Sequence, residues 1–141
     1  MDQQQRPLRC VIVDSDVAVR DVIRLALADC EVVAERLVTR SEVIGACGRG
    51  AADVLFLEPD RCGFDPVEAL GALAAGGFGG AVQLVSGSHA RLDQIRRAGE
   101  RHGLVMLSPL RKPFRASDIR RVAADCSSRR DAAARLAEFA A

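Results

Sequence analysis

Five short apolar runs recur along this chain, each followed by a stretch whose apolar residues fall at helical spacing. Leu8 to Val13, Glu31 to Val38, Asp53 to Leu57, Ala81 to Ser86 and Leu104 to Leu110 read as strands. The third is apolar on both sides, as a central parallel strand should be. Between them, Val19, Val22, Ile23, Ala26 and Leu27 mark a first helix whose Arg20, Asp21 and Arg24 face away. Ser41 caps a weak second helix that runs out at Gly48 and Gly50, and a turn-rich stretch from Pro59 to Pro66 leads into a third over about 67–75. Ser88 caps a fourth helix with Leu92, Ile95 and Gly99 inward. The fifth begins after Pro113, with Ile119, Val122, Ala123 and Cys126 on one face; helical composition continues to Leu136, interrupted by Ser127 to Arg130. Strands alternating with helices predict a parallel sheet covered on both faces.

With 141 residues the chain has room for one domain of ordinary size. That domain is expected over 8–127, after a disordered segment at 1–7 and before a helical extension or linker at 128–141. Five Phe and no Trp or Tyr leave the core to Val, Leu, Ile and Ala. The net charge of +1 gives no general case for nucleic-acid binding. From Arg111 to Arg135 eight Lys or Arg stand against three Asp, which reads as a solvated basic helix face carrying Arg120, Arg121, Arg129 and Arg130. Cys10, Cys30, Cys47, Cys62 and Cys126 show no C-x-x-C spacing and are odd in number. Reduced thiols are therefore expected, not a zinc site or a disulfide framework. The polar start MDQQQRP has no apolar signal core, and no apolar run approaches a membrane span. A soluble cytoplasmic protein is expected.

In an open parallel sheet, ligands bind beyond the carboxyl ends of the strands. Those ends carry Asp14-Ser15-Asp16, Glu58, Ser86-Gly87 and Arg111-Lys112. Carboxylates gathered there repel unless a cation sits among them, and Mg2+ is commonly held by one or two carboxylates plus phosphate oxygens. A hydroxyl and an ammonium group complete a cradle for a phosphoryl group, whose transfer needs mainly positioning and charge neutralisation.

The motifs VIVDSD at 11–16, ADVLFLEPDRCGFDP at 52–66, LVSG at 84–87 and RKPF at 111–114 carry a resemblance. Over roughly Leu8 to Cys126 the chain resembles the CheY-like receiver domain of two-component response regulators. The resemblance implies a flavodoxin-like (βα)5 doubly wound sheet of strand order 2-1-3-4-5, acting in signal transduction and not as an enzyme. It places Asp14 as the first acidic residue, Glu58 at the phosphoacceptor position, Ser86 as the switch hydroxyl and Lys112 as the phosphoryl-contacting lysine. It also implies a cis bond between Lys112 and Pro113.

Two departures stand out: Glu58 replaces the acceptor Asp, and Ser15 takes the second acidic position, with Asp16 next to it as partial compensation. Glu58 is expected to push its carboxylate about 1.5 Å further, into the phosphoryl space and toward Lys112. Weak or absent Mg2+ binding at Asp14 and Asp16, no other cofactor, and no ordinary phosphorylation follow. Glu58 then either imitates the phosphorylated state or marks a decayed pocket. Pro59 is expected to end the strand and turn Asp60 away. Pro109 stands where receivers often have an aromatic residue, so the aromatic rotamer switch is missing.

GFGGAVQLVSG and AGERHGLVMLSPLRKPF look like receivers that precede EAL-type cyclic-di-GMP phosphodiesterase domains. Implied partners are a histidine kinase, an output domain or such a phosphodiesterase, with neither nucleic acid nor membrane. A homodimer would use the fourth helix, fifth strand and fifth helix, continued by Ala133, Leu136, Ala137 and Ala140.

Other readings are weaker. A receiver phosphorylated on another Asp is one alternative. Asp14-Ser15-Asp16 also fits the D-x-D of haloacid-dehalogenase-type phosphatases, with Asp14 as nucleophile, but no later acidic pair or cap insertion accompanies it. A flavodoxin would want a Ser/Thr-rich phosphate loop and stacking aromatics. His89 and His102 read as surface residues, Phe78 and Phe114 as packing, and the glycines at 76–80 as a loop on the edge away from the chemistry.

Overall fold

The computed structural model describes residues 6–88 and 91–140. A parallel sheet has β1 (Arg9–Val13), β3 (Val54–Leu57) and β4 (Ala81–Ser86) at its centre. β2 (Glu31–Ala34) forms one edge, and β5 (Val105–Met106) with β6 (Leu110–Arg111) the other, both pairing with β4. The order β2-β1-β3-β4-β5 is the flavodoxin-like topology expected, with a crossover helix after each of the first four strands. The helices are α1 (Val17–Ala26), α2 (Arg40–Ala46), α3 (Pro66–Ala75), α4 (Leu92–Arg101) and α5 (Ala116–Ala140).

Alternation of side chains along the central strands divides the core in two. Val11, Val13, Leu55, Leu57, Val82 and Leu84 face α2, α3 and α4, meeting Val43, Leu70, Leu73 and Ile95. Cys10, Ile12, Val54, Phe56, Ala81 and Val85 face α1 and α5, meeting Ile23, Leu27, Ile119, Val122 and Cys126. Phe78 is buried in the first core and Phe114 packs on the second, so both are packing residues. Gly80, two residues after Phe78, lets two backbone segments meet closely. A Cβ on Gly80 would stand 2.5 Å from the Asp53 carbonyl.

Several element ends differ from expectation, each for a local reason. α2 starts at Arg40 because Thr39, not Ser41, caps it; Thr39 and Glu42 form a reciprocal capping box. α4 starts at Leu92, and its N-cap Arg91 makes no side-chain cap, so Ser88 does not serve that role. β2 stops at Ala34, four residues early, as an edge strand after an irregularity in its pairing with β1. The fifth run is split. Met106 pairs with Val82 and Leu110 with Val85, so three steps on β4 face four on the other side. This is a bulge at Pro109, which has no N–H to give a ladder. Buried Gln83 secures it by donating from Nε2 to the Ser108 carbonyl at 2.8 Å. α5 runs unbroken through Ser127 to Arg130, where an interruption was expected. No helix among the described residues is long and apolar enough to cross a membrane.

Candidate functional site

β1, β3, β4 and β6 deliver Asp14, Glu58, Ser86 and Lys112 to one edge of the sheet. The ladder continues just past the strands. The Glu58 amide donates to the Val13 carbonyl at 2.8 Å, and the Lys112 amide to the Ser86 carbonyl at 2.9 Å. Those bonds put the four side chains side by side. The Lys112–Pro113 bond is cis, as the resemblance implied.

Each side chain has a protein partner. Lys112 Nζ lies 2.8 Å from Asp14 Oδ2, in a pair whose side chains are 18% and 2% exposed. The contact falls outside hydrogen-bond angles, so charge rather than direction holds it. Asp14 Oδ1 accepts from the Asp16 amide at 2.9 Å, and Arg20 reaches back from α1 to the Asp14 carbonyl instead of facing away. Asp16 is exposed and its Oδ1 caps α1 by accepting from the Ala18 amide at 2.9 Å. Ser15 points to solvent.

Glu58 does not pair with Lys112 as expected, because Lys112 sits on Asp14. Its carboxylate folds over its own loop and accepts from the amides of Asp60, at 3.1 Å, and Arg61, at 2.9 Å. The side chain is long enough to capture both donors of the turn that follows Pro59. Burial, at 3% exposure, pushes the Glu58 carboxyl above its ordinary range. The Arg61 amide, the Lys112 charge and the Asp60 amide oppose that shift.

The same turn brings Asp60 back over the pocket, contrary to the expectation that Pro59 turns it away. The fully buried Ser86 hydroxyl bonds to Asp60 Oδ2. Ser86 Oγ also lies 2.8 Å from the Ser88 carbonyl and accepts from the Ser88 amide at 3.0 Å. A hydroxyl has one proton to donate, and the carboxylate is the stronger acceptor.

These donors do not fit a divalent cation. Glu58 gives its two oxygens to backbone amides, Asp16 gives one to a helix cap, and the ammonium of Lys112 already sits on Asp14. The D-x-D phosphatase reading meets the same obstacle, since Asp16 is capping and Asp14 is paired.

At the opposite end of the sheet lies a cluster that the sequence reading missed. Asp53 accepts from Arg6 at 2.9 and 3.1 Å and from the Arg9 amide at 2.8 Å, and Arg130 stands 3.7 Å away. Arg130 therefore belongs to a structural network, whereas Arg120, Arg121 and Arg129 are exposed as expected. A cavity of about 440 Å3 beside it, lined by Arg6, Cys30, Arg120 and Arg130, is remote from the strand ends just described. The five cysteines are unbridged, and burial pushes the Cys47 thiol up to about 12 and the Cys126 thiol to about 11. His102 is exposed; His89 lies outside the described residues.

No family model matches the chain, and no curated protein does. Solved structures do. A CheY-like response regulator receiver domain protein from Methanospirillum hungatei is 16% identical, with a TM-score of 0.71 over 89% of this chain and 97% of its own. A response regulator from Colwellia psychrerythraea is 18% identical, with a TM-score of 0.66 over 86% and 98%. The REC domain of AraT, a response regulator from Geobacillus stearothermophilus, is 20% identical, with a TM-score of 0.67 over 88% and 95%. At such identities the similarity is one of fold: the chain has the receiver-domain fold.

Proposed function

We propose that this chain is an atypical receiver module that acts by protein contact and is not phosphorylated, because Glu58 stands at the acceptor position. The observation that carries this reading is the pairing inside the pocket. Lys112 is on Asp14, Ser86 is on Asp60, and Glu58 is on the amides of its own loop. A phosphoryl group entering there would have to displace protein partners, with no cluster of metal-binding side chains among the described residues to assist it. A carboxylate that ties up its own turn also makes a poor nucleophile and a poor imitation of a phosphoryl group. The role assigned to Glu58 is that of a brace.

In this reading the chain is a cytoplasmic, non-enzymatic signalling element without a bound cofactor. Its partners are proteins of a two-component pathway: a histidine kinase, an output domain or an EAL-type phosphodiesterase. A homodimer would form through α4, the β5–β6 edge and α5, where Leu136 is 70% and Phe139 92% exposed.

Incubation with Mg2+ and acetyl phosphate or phosphoramidate, read by intact mass beside Glu58→Asp, tests the proposal. The wild type is expected to gain no phosphate. A singly phosphorylated wild type would overturn the proposal and direct the search to Asp14, Asp16 or Asp60. Phosphate on Glu58→Asp alone would mean that the pocket lacks only its nucleophile.

A further inference from the structure

We infer that Asp60 is the pocket's built-in anion: its carboxylate takes the acceptor place in front of the Ser86 hydroxyl and fixes the backbone of residues 86–88 at the end of β4. The inference deepens the reading of an unphosphorylated module by naming what stands where a phosphoryl oxygen would.

Three observations converge on it. Glu58, buried at the end of β3, holds the amides of Asp60 and Arg61, and so sets the turn that aims Asp60 inward. The Asp60 carboxylate reaches the hydroxyl of Ser86, a residue with no solvent exposure. Ser86 Oγ in turn accepts from the Ser88 amide at 3.0 Å, so the carboxylate, the hydroxyl and the loop backbone form one chain of hydrogen bonds. A donor polarised by a charged acceptor is itself a better acceptor, so the Asp60 bond strengthens the Ser88 bond.

The hydroxyl has a second choice. The Ser88 carbonyl lies 2.8 Å from Ser86 Oγ, within reach of the same proton. With Asp60 in place the proton points to the carboxylate. Without it, the hydroxyl turns to Ser88 and the loop backbone readjusts around the new bond. Residues 86–88 therefore report on Asp60, although 26 positions separate it from Ser86.

Asp60 is exposed, so Asp60→Ala leaves the core intact. Amide spectra and hydrogen exchange of the full chain, without any phosphodonor, are compared for wild type, Asp60→Ala, Ser86→Ala and the double variant. Asp60→Ala is expected to shift the amides of Ser86, Gly87 and Ser88 and to speed the exchange of Ser88. In urea unfolding, the double variant's equilibrium constant is expected to depart from the product of the single effects by about threefold or more. Shifts confined to residues 59–62, or single effects that simply multiply, overturn the inference. A phosphorylated wild type would sink the functional proposal but leave this coupling intact. Loss of the coupling would leave the mass result intact.

Discussion

Lys112 and Asp14 make the sharpest residue-scale demand on this fold. Asp14 has almost no exposed side-chain surface, and an unpaired carboxylate there would keep its full desolvation cost. Removing the partner is therefore worse than never having had the pair. Lys112→Met is expected to cost about 2–3 kcal/mol, because the buried Asp14 side chain loses its counter-ion. Adding Asp14→Asn should recover part of that loss, since the amide oxygen can still accept from the Asp16 amide. Urea unfolding of the two single variants and the double variant decides the matter, and a double variant as unstable as the sum of the singles would refute it. The residues of this pocket were legible in the sequence because strand ends converge in any parallel sheet. Their pairing was not. Which carboxylate meets Lys112 depends on whether Glu58 reaches across or folds back, and two backbone amides settle that in favour of folding back.

At the scale of elements, strand order follows from the alternation of apolar runs and helices, while the boundaries follow from single hydrogen bonds. α2 is the clearest case. It has only seven residues, too few to persist on propensity, so the Thr39–Glu42 box and the burial of Val43 hold it in place. The box is written in the sequence as Thr-x-x-Glu, and Ser41 is a decoy two positions inside it. Thr39→Ala is expected to cost about 1 kcal/mol and to speed amide exchange across Arg40–Ala46, whereas Ser41→Ala should change neither. Equal effects of the two substitutions would show that the cap is not where the structure puts it. The split of the fifth run was less legible. Pro109 announces a gap in the ladder, but the extra residue is defined only by its register against β4.

Across the whole molecule, two carboxylates at opposite ends of the sheet give stability opposite dependences on pH. Burial alone would raise the Asp53 carboxyl. The bond from Arg6, the Arg9 amide and the charges of Arg6 and Arg130 outweigh it, so the group sits below its ordinary value of 3.8. The folded state then holds fewer protons than the unfolded state in that window. The contribution is complete above about 3.8 and is lost as pH falls through the lower folded value. This network joins the segment before β1, the start of β3 and the middle of α5, which are far apart in sequence; no local pattern could have revealed it. Glu58 works the other way. Its folded value lies above the ordinary 4.5, so the folded state holds more protons there, and stability declines as pH rises from about 4.5 to the raised value. Urea midpoints measured from pH 3 to pH 8 should therefore peak in the mildly acidic range, as far as these two groups determine them. Asp53→Asn should flatten the acid limb and leave the rest, while Glu58→Gln should flatten the decline above pH 4.5 and leave the acid limb. If both variants keep the wild-type profile, the pH response belongs to other groups and neither carboxylate has the environment described. If Asp53→Asn alone flattens its limb, the Arg6–Asp53–Arg130 network stands, and Glu58 must be better solvated than its place at the end of β3 implies.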